Sequence, residues 1–237
     1  MNILCPRPYT CLEVRRSMSG WGRHFFYRKE VWKTTWTFRL SVLVVVVVMA
    51  LLTRHVLADR IGKSLVCEEH ADPSAAILVE NFDPEYLSFE RAATLKKAGV
   101  ASRVFVPVSA SADPEYPDAS SNGVVSEFAR VAHLADLAAI PVRPVEPITL
   151  NAAMEVRDFL LKENIRSVVF VTPGFRSRRS VLVYEKIFTP AGIKFECVPV
   201  FGNQTPDNWT TTWHGIQDVI LQFGKLQYYR FYILRRY

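Results

Sequence analysis

The 237-residue chain lacks the short signatures that name a reaction by themselves. It has no G-x-S-x-G nucleophile elbow, no Walker phosphate loop and no C-x-x-C pair. Long internal repeats and low-complexity tracts are missing too, which argues against solenoids and disordered tails. Cysteine is scarce. Four in a chain of this length do not build a disulfide scaffold. Cys5 and Cys11 have no nearby histidines spaced for zinc. Cys67 lies in a polar connecting stretch and Cys197 in a predicted strand, so the two are expected as independent thiols, although an oxidising compartment leaves a bridge open. A basic excess is absent from most of the chain. Residues 1–39 hold eight Lys or Arg against two acids, the whole of the formal +6, and the rest is neutral. A nucleic-acid-binding domain keeps its basic patch on the fold, so no nucleic-acid partner is expected.

What the chain does have is a long apolar run. Leu40 to Leu52 reads LSVLVVVVVMALL, uncharged between Arg39 and Arg54. Those residues alone fall short of the ~20 that span a bilayer. Extended over 36–58, with Arg39, Arg54 and His55 reaching toward headgroups, the segment is long enough. No small-x-small cleavage site follows cleanly, which argues against a removable signal peptide. The expected organisation is a basic cytoplasmic segment (1–35), a transmembrane helix (36–58), a juxtamembrane stalk (59–74) and a domain (75–237). The positive-inside bias places that domain outside the cytoplasm, on a single-pass anchor in the plasma (inner) membrane.

The domain alternates short apolar runs with helical spacing, the pattern of an α/β fold. Strands are expected at 75–80, 103–108 and 194–200, with a short proline-interrupted one in 140–147. Gly99 stops a helix over about 85–98. Ser121 and Thr149 are candidate N-caps of two further helices. The first presents Val124, Val125, Phe128, Val131, Ala132 and Ala135 on one stripe, leaving His133 outside; the second presents Ala152, Ala153, Val156, Phe159 and Leu160. A last helix after Trp213 and His214 turns Ile216, Val219, Ile220 and Phe223 inward. Its end interleaves aromatics with Arg230, Arg235 and Arg236, which suits either a headgroup boundary or a packed terminal helix.

The organising stretch is Val168–Phe188, VVFVTPGFRSRRSVLVYEKIF. Four apolar residues bounded by Ser167 and Thr172-Pro173-Gly174 look like a strand buried on both faces. Val181, Tyr184 and Phe188 then recur at helical spacing. Ligands in α/β proteins sit beyond the carboxyl ends of strands, where this turn lies. Arg176, Arg178 and Arg179 concentrate positive charge at a helix N-terminus, a candidate anion clamp.

The same stretch resembles the T-S-x-[FY]-H-x-x-R-A segment of the SanA/YdcF/ElyC-type envelope proteins, a family with a YdcF-like domain of unsettled biochemistry. Thr172, Phe175 and Arg179 match; Arg176 replaces the usual histidine and Ser180 the alanine. Asn151-Ala152 is similar to the end of the family's T-x-E-N-A segment, with Leu150 at the glutamate position. Gly224, Tyr228, Tyr229 and Arg230 match its closing G-x-L-x-Y-Y-R. The family's Gly-rich turns after the first two strands are replaced by NFDPEY and SASADPEYPD. Without glycine there, backbone amides close less readily on a phosphate. The resemblance implies a three-layer Rossmann-like α/β domain with a mainly parallel sheet of about five strands. It also implies a role in cell-envelope biogenesis, through a phosphorylated or lipid-linked small molecule. Arg176, Arg178 and Arg179 would hold the anion, Thr172 and Asn151 would assist, and Asp83 or Asp113 in the acidic loops would serve as a general base. A non-catalytic, membrane-tethered scaffold is the rival. No cofactor or oligomeric state is signalled; the bilayer is the expected partner.

Overall fold

A computed structural model of the chain describes residues 35–82, 85–110, 119–134 and 136–236. The chain divides into two units with a boundary between Leu51 and Leu52. The described part of the first is the opening of helix α1 (Trp36–Ser64). Its valines Val44 to Val48 are all exposed, and the helix is long and apolar enough to cross a membrane. At 1.5 Å per residue α1 is roughly 44 Å long, more than the ~30 Å of a hydrocarbon core.

The helix therefore runs on past 58, and the stretch read as a polar stalk divides in two. Its first residues complete α1; the rest lies along the second unit. Leu65 is buried and its carbonyl accepts from Arg178 N at 3.0 Å. Cys67 N donates to Ser177 Oγ at 2.9 Å, and His70 N to the Cys197 carbonyl at 2.9 Å. This path brings Cys67 beside Cys197, and the two form a disulfide across a Cα separation of 6.4 Å. The expectation of independent thiols is thereby corrected. A solvated stalk would not have met the strand; a strapped one does.

The second unit is the expected α/β domain. Five strands, β1 (Ala76–Val79), β2 (Arg103–Ser109), β3 (Leu137–Val142), β4 (Ser167–Pro173) and β5 (Lys194–Val200), form one sheet in the order β3-β2-β1-β4-β5. Every pairing is parallel. Pro141 is tolerated because β3 is an edge strand. Helices α2 (Tyr86–Lys97), α3 (Ala119–Val131), α4 (Ile148–Lys162) and α5 (Gly174–Phe188) are the crossovers, and α6 (Trp213–Tyr228) follows β5.

Side chains alternate across the sheet and build two cores. Ile77, Val104, Val169 and Val171 meet Phe89 and Ala92 of α2 and Val125 and Ala129 of α3. Leu78, Phe105, Val168 and Phe170 meet Val156 and Leu160 of α4 and Val183, Tyr184 and Phe188 of α5. On the second face Phe170, Tyr184, Phe188 and Phe195 form an aromatic cluster, with Phe170 and Tyr184 centroids 4.6 Å apart. Each fully buried Val or Phe contributes ~1.5–3 kcal/mol.

Helix faces were placed less well than strands. α3 starts at Ala119, two residues before its expected cap; among its described side chains Val125 and Ala129 are buried and Val124 and Val131 outward, with Ala132 buried just past its end. Ala135 and the Ser121 side chain lie outside the described residues. His133 is exposed, as expected. Pro147, not Thr149, occupies the cap of α4, and Thr149 is buried. In α6 the inward stripe is Gly215, Val219, Gln222 and Leu226, while Ile220 and Phe223 point to solvent.

Candidate functional site

Strand order reverses between β1 and β4, since β2 and β3 extend the sheet to one side and β4 and β5 to the other. The crevice beyond the carboxyl ends at such a point is where open parallel sheets hold ligands. Glu80 and Asn81 follow β1 there, and Thr172 and Pro173 close β4.

Glu80 is 1% exposed. A buried carboxylate costs several kcal/mol unless its oxygens are hydrogen bonded, at order-of-magnitude scale. Two hydroxyls do this. Thr172 Oγ1 donates to Glu80 Oε2, and Ser180 Oγ donates to Oε1 at 2.9 Å. Tyr184, one turn beyond Ser180, is fully buried. Burial, and secondarily the negative charge of Glu80, pushes its phenol well above the ordinary tyrosine range, so it stays neutral. This network is structural first. It consumes the Thr172 hydroxyl, which faces inward rather than toward a ligand.

The hollow lies one step further out. A cavity of about 300 Å³ is lined by Pro173, Gly174, Phe175 and Arg176 at the start of α5, and by Val200, Phe201, Gly202, Asn203 and Gln204 at the end of β5. Glu85, with Asp218 and Gln222 of α6, completes it. Gly174 is required by packing: a Cβ would stand 2.0 Å from a Phe201 ring carbon. Phe201 thus presses on the backbone and sets the cavity beside the first turn of α5. There the opening N–H groups of the helix have no intrahelical acceptor. Arg176 enters the same wall and is 6% exposed, so its charge acts from a largely desolvated position. Gln222, also in the lining, is equally buried. Its Nε2 donates to Asp218 Oδ1 at 3.2 Å, while its Oε1 has no hydrogen-bond partner among the described residues. The lining therefore offers a cation and helix amides together with carboxylate and amide acceptors.

The three arginines do not converge. Successive helical residues turn by ~100°, so positions 176 and 178 project to nearly opposite sides. Arg178 is exposed and lines a separate hollow with His70, Glu185 and Lys194 beside the disulfide. Arg179 is 7% exposed and its guanidinium carbon lies 5.6 Å from the Tyr229 ring. Only Arg176 of the three lines the cavity. Asn151 is elsewhere, its Nδ2 donating to the Val145 carbonyl at 2.9 Å and bracing the approach to α4. Asp83 and Asp113 lie outside the described residues.

Glu85 belongs to the acidic loop after β1 in which the sequence places a candidate general base, whereas Glu80, Asp218 and Gln222 were not singled out from the sequence. For Gln222 a signal existed: it is a polar residue on the stripe of Val219 and Leu226, where burial without a purpose is costly. No family profile, curated protein or solved structure matches the chain.

Proposed function

We propose that the chain is a membrane-anchored protein that binds a phosphate-bearing ligand, a nucleotide or a lipid-linked precursor, in the cavity at the start of α5. Its role would lie in cell-envelope biogenesis, with the N-terminus cytoplasmic and the α/β domain on the far side of the plasma membrane. The observation that carries this reading is the position of Arg176, near-buried in the first turn of α5 and lining the cavity beyond β4. Phosphate fits there because a guanidinium fork and helix-terminal amides both donate to it. Glu85, Asp218 and Gln222 require that the rest of the ligand bring donors, as the hydroxyls of a ribose or a sugar do. The resemblance of the β4–α5 turn to the SanA/YdcF/ElyC segment supports the envelope setting.

A second reading keeps the fold and the anchor but no reaction. It is favoured by Glu80, whose carboxylate is shut away from solvent and engaged by Thr172 and Ser180. Binding without catalysis is compatible with both readings.

The test is calorimetric titration of the full chain in detergent with a nucleotide sugar and with a polyprenyl phosphate. Arg176→Gln should weaken binding by roughly ten- to a hundredfold, the worth of one charge-assisted contact. Arg178→Gln should leave affinity unchanged, because that side chain serves another hollow. Unaltered binding by a folded Arg176→Gln variant would remove the ligand from this cavity.

A further inference from the structure

Helix α6 is apolar on two faces, and the domain uses only one. Gly215, Val219, Gln222 and Leu226 are buried, and Tyr229 and Ile233 continue the stripe through the π-helical turn Tyr229–Ile233. The outward side is also apolar: Trp213 is 71% exposed, Ile220 65%, Phe231 56% and Tyr228 52%, with Leu221 and Tyr232 beside them. A surface helix of a water-soluble domain keeps that side polar. Contiguous apolar exposure of this kind marks a surface that something else covers.

Two observations identify the cover. The first is position. Ile216, Val219 and Leu226 of α6 pack in one cluster with Ala58 and Ile61 at the end of α1 and with Leu65 just beyond it. Trp209 just ahead of α6 donates from Nε1 to the Ala58 carbonyl at 3.2 Å. Gly62 admits this closeness, since a Cβ there would stand 2.9 Å from Trp209 Nε1. Upstream on the same helix Leu52, Val56 and Leu57 are exposed apolar residues. Ala58 lies only roughly 9 Å along the axis from Leu52, about the depth of a headgroup layer. The second is charge. Beyond Asp218 the chain carries Lys225, Arg230, Arg235 and Arg236 and no acidic residue. The Arg236 guanidinium lies 4.0 Å from the Tyr232 ring centroid, and that of Arg235 5.8 Å from Phe231. Aromatics interleaved with arginine match the boundary layer of a bilayer with anionic headgroups.

We propose that the outward face of α6 and the following π-helical turn is a membrane-docking surface that lies in the headgroup layer of the bilayer holding α1. It rests on α1 spanning that bilayer and is independent of the cavity and its ligand. Docking would give the domain a second attachment and one fixed orientation over the lipid. Apolar and aromatic side chains enter the interface, and the arginines meet lipid phosphates.

The test uses the full chain with Cys5→Ser and Cys11→Ser, reconstituted in phosphatidylcholine vesicles containing a minority of phosphatidylglycerol. Nitroxides are attached at Tyr228→Cys or Phe231→Cys, and at Glu127→Cys on α3 as an aqueous reference. Collisions with oxygen should dominate at the first two sites and collisions with a polar nickel reagent at the third. Arg230→Gln/Arg235→Gln/Arg236→Gln should shift the Tyr228→Cys site toward the polar reagent, most clearly at raised salt. Water-like behaviour at both α6 sites would overturn the proposal. So would shielding from both reagents: with spin–spin broadening it would mean that a second copy covers the face, and without it that the chain covers itself.

Discussion

Two valine-rich stretches of this chain meet opposite fates. Val168, Val169 and Val171 of β4 have no exposed surface, whereas Val44 to Val48 of α1 are each about half exposed. Both are β-branched runs, which favour strand over helix when nothing else decides. In β4 the neighbours decide, because a central parallel strand receives a helix layer on each face. In α1 length decides: the run is long and apolar enough to cross a membrane, where a segment must satisfy its own backbone, and a helix does that within one segment. The same residue type thus stands in a buried strand or in a long exposed helix according to what surrounds it.

One pair of substitutions breaks the comparison with the largest effect. Val169→Asp places a carboxylate among side chains that offer it no partner and should abolish the cooperative melt of the domain, read by circular dichroism. Val46→Asp in α1 should leave that melt intact and instead penalise membrane insertion by about 2.5–3.5 kcal/mol, read by fractionation. A preserved melt in Val169→Asp would mean that β4 is not doubly covered. Next in size is the strap. Cys67→Ser/Cys197→Ser should lower stability to denaturant by ~2–4 kcal/mol, and reduction of the wild type should match it.

Smaller effects come from the buried network behind the cavity. Thr172→Val removes one of the hydroxyls that hold Glu80 and should cost ~1–3 kcal/mol, seen as a lower Tm. The smallest is a pH effect. Tyr184 is held neutral in the fold while an unfolded tyrosine ionises near pH ~10. The native state therefore binds the extra proton. Stability from this group is fully present below pH ~10 and falls as pH rises above it. Tyr184→Phe should flatten the alkaline limb of a stability–pH curve while leaving neutral pH nearly unchanged.

The strands were legible because short apolar runs between turn residues have few alternatives, and Gly99 and Gly192 stand where the chain needs a positive φ. The amphipathic α4 was legible for a related reason: its polar side is unmistakable. Periodicity failed at α6, where two apolar faces compete and spacing cannot say which one the domain takes. It misjudged Arg176, Arg178 and Arg179 as one cluster, because adjacency in sequence becomes divergence around a helix. Glu80 and Gln222 stayed hidden because their roles depend on hydroxyls and walls contributed by distant segments. Cys67 was misread for want of the strap that carries it to β5.

That strap turns most of the domain into a closed ring. The covalent loop from Cys67 to Cys197 encloses β1 through β4 and reaches into β5, leaving α1 on one side of the closure and α6 on the other. A single proteolytic nick anywhere inside the loop would release no fragment. The two pieces would migrate as one species until a reductant opened the ring. The covalent path from α1 can likewise pass from Cys67 to Cys197 and so to β5 without running through β1. In mechanical terms the ring offers two covalent routes between its ends, one through β1 to β4 and one through a single sulfur–sulfur bond.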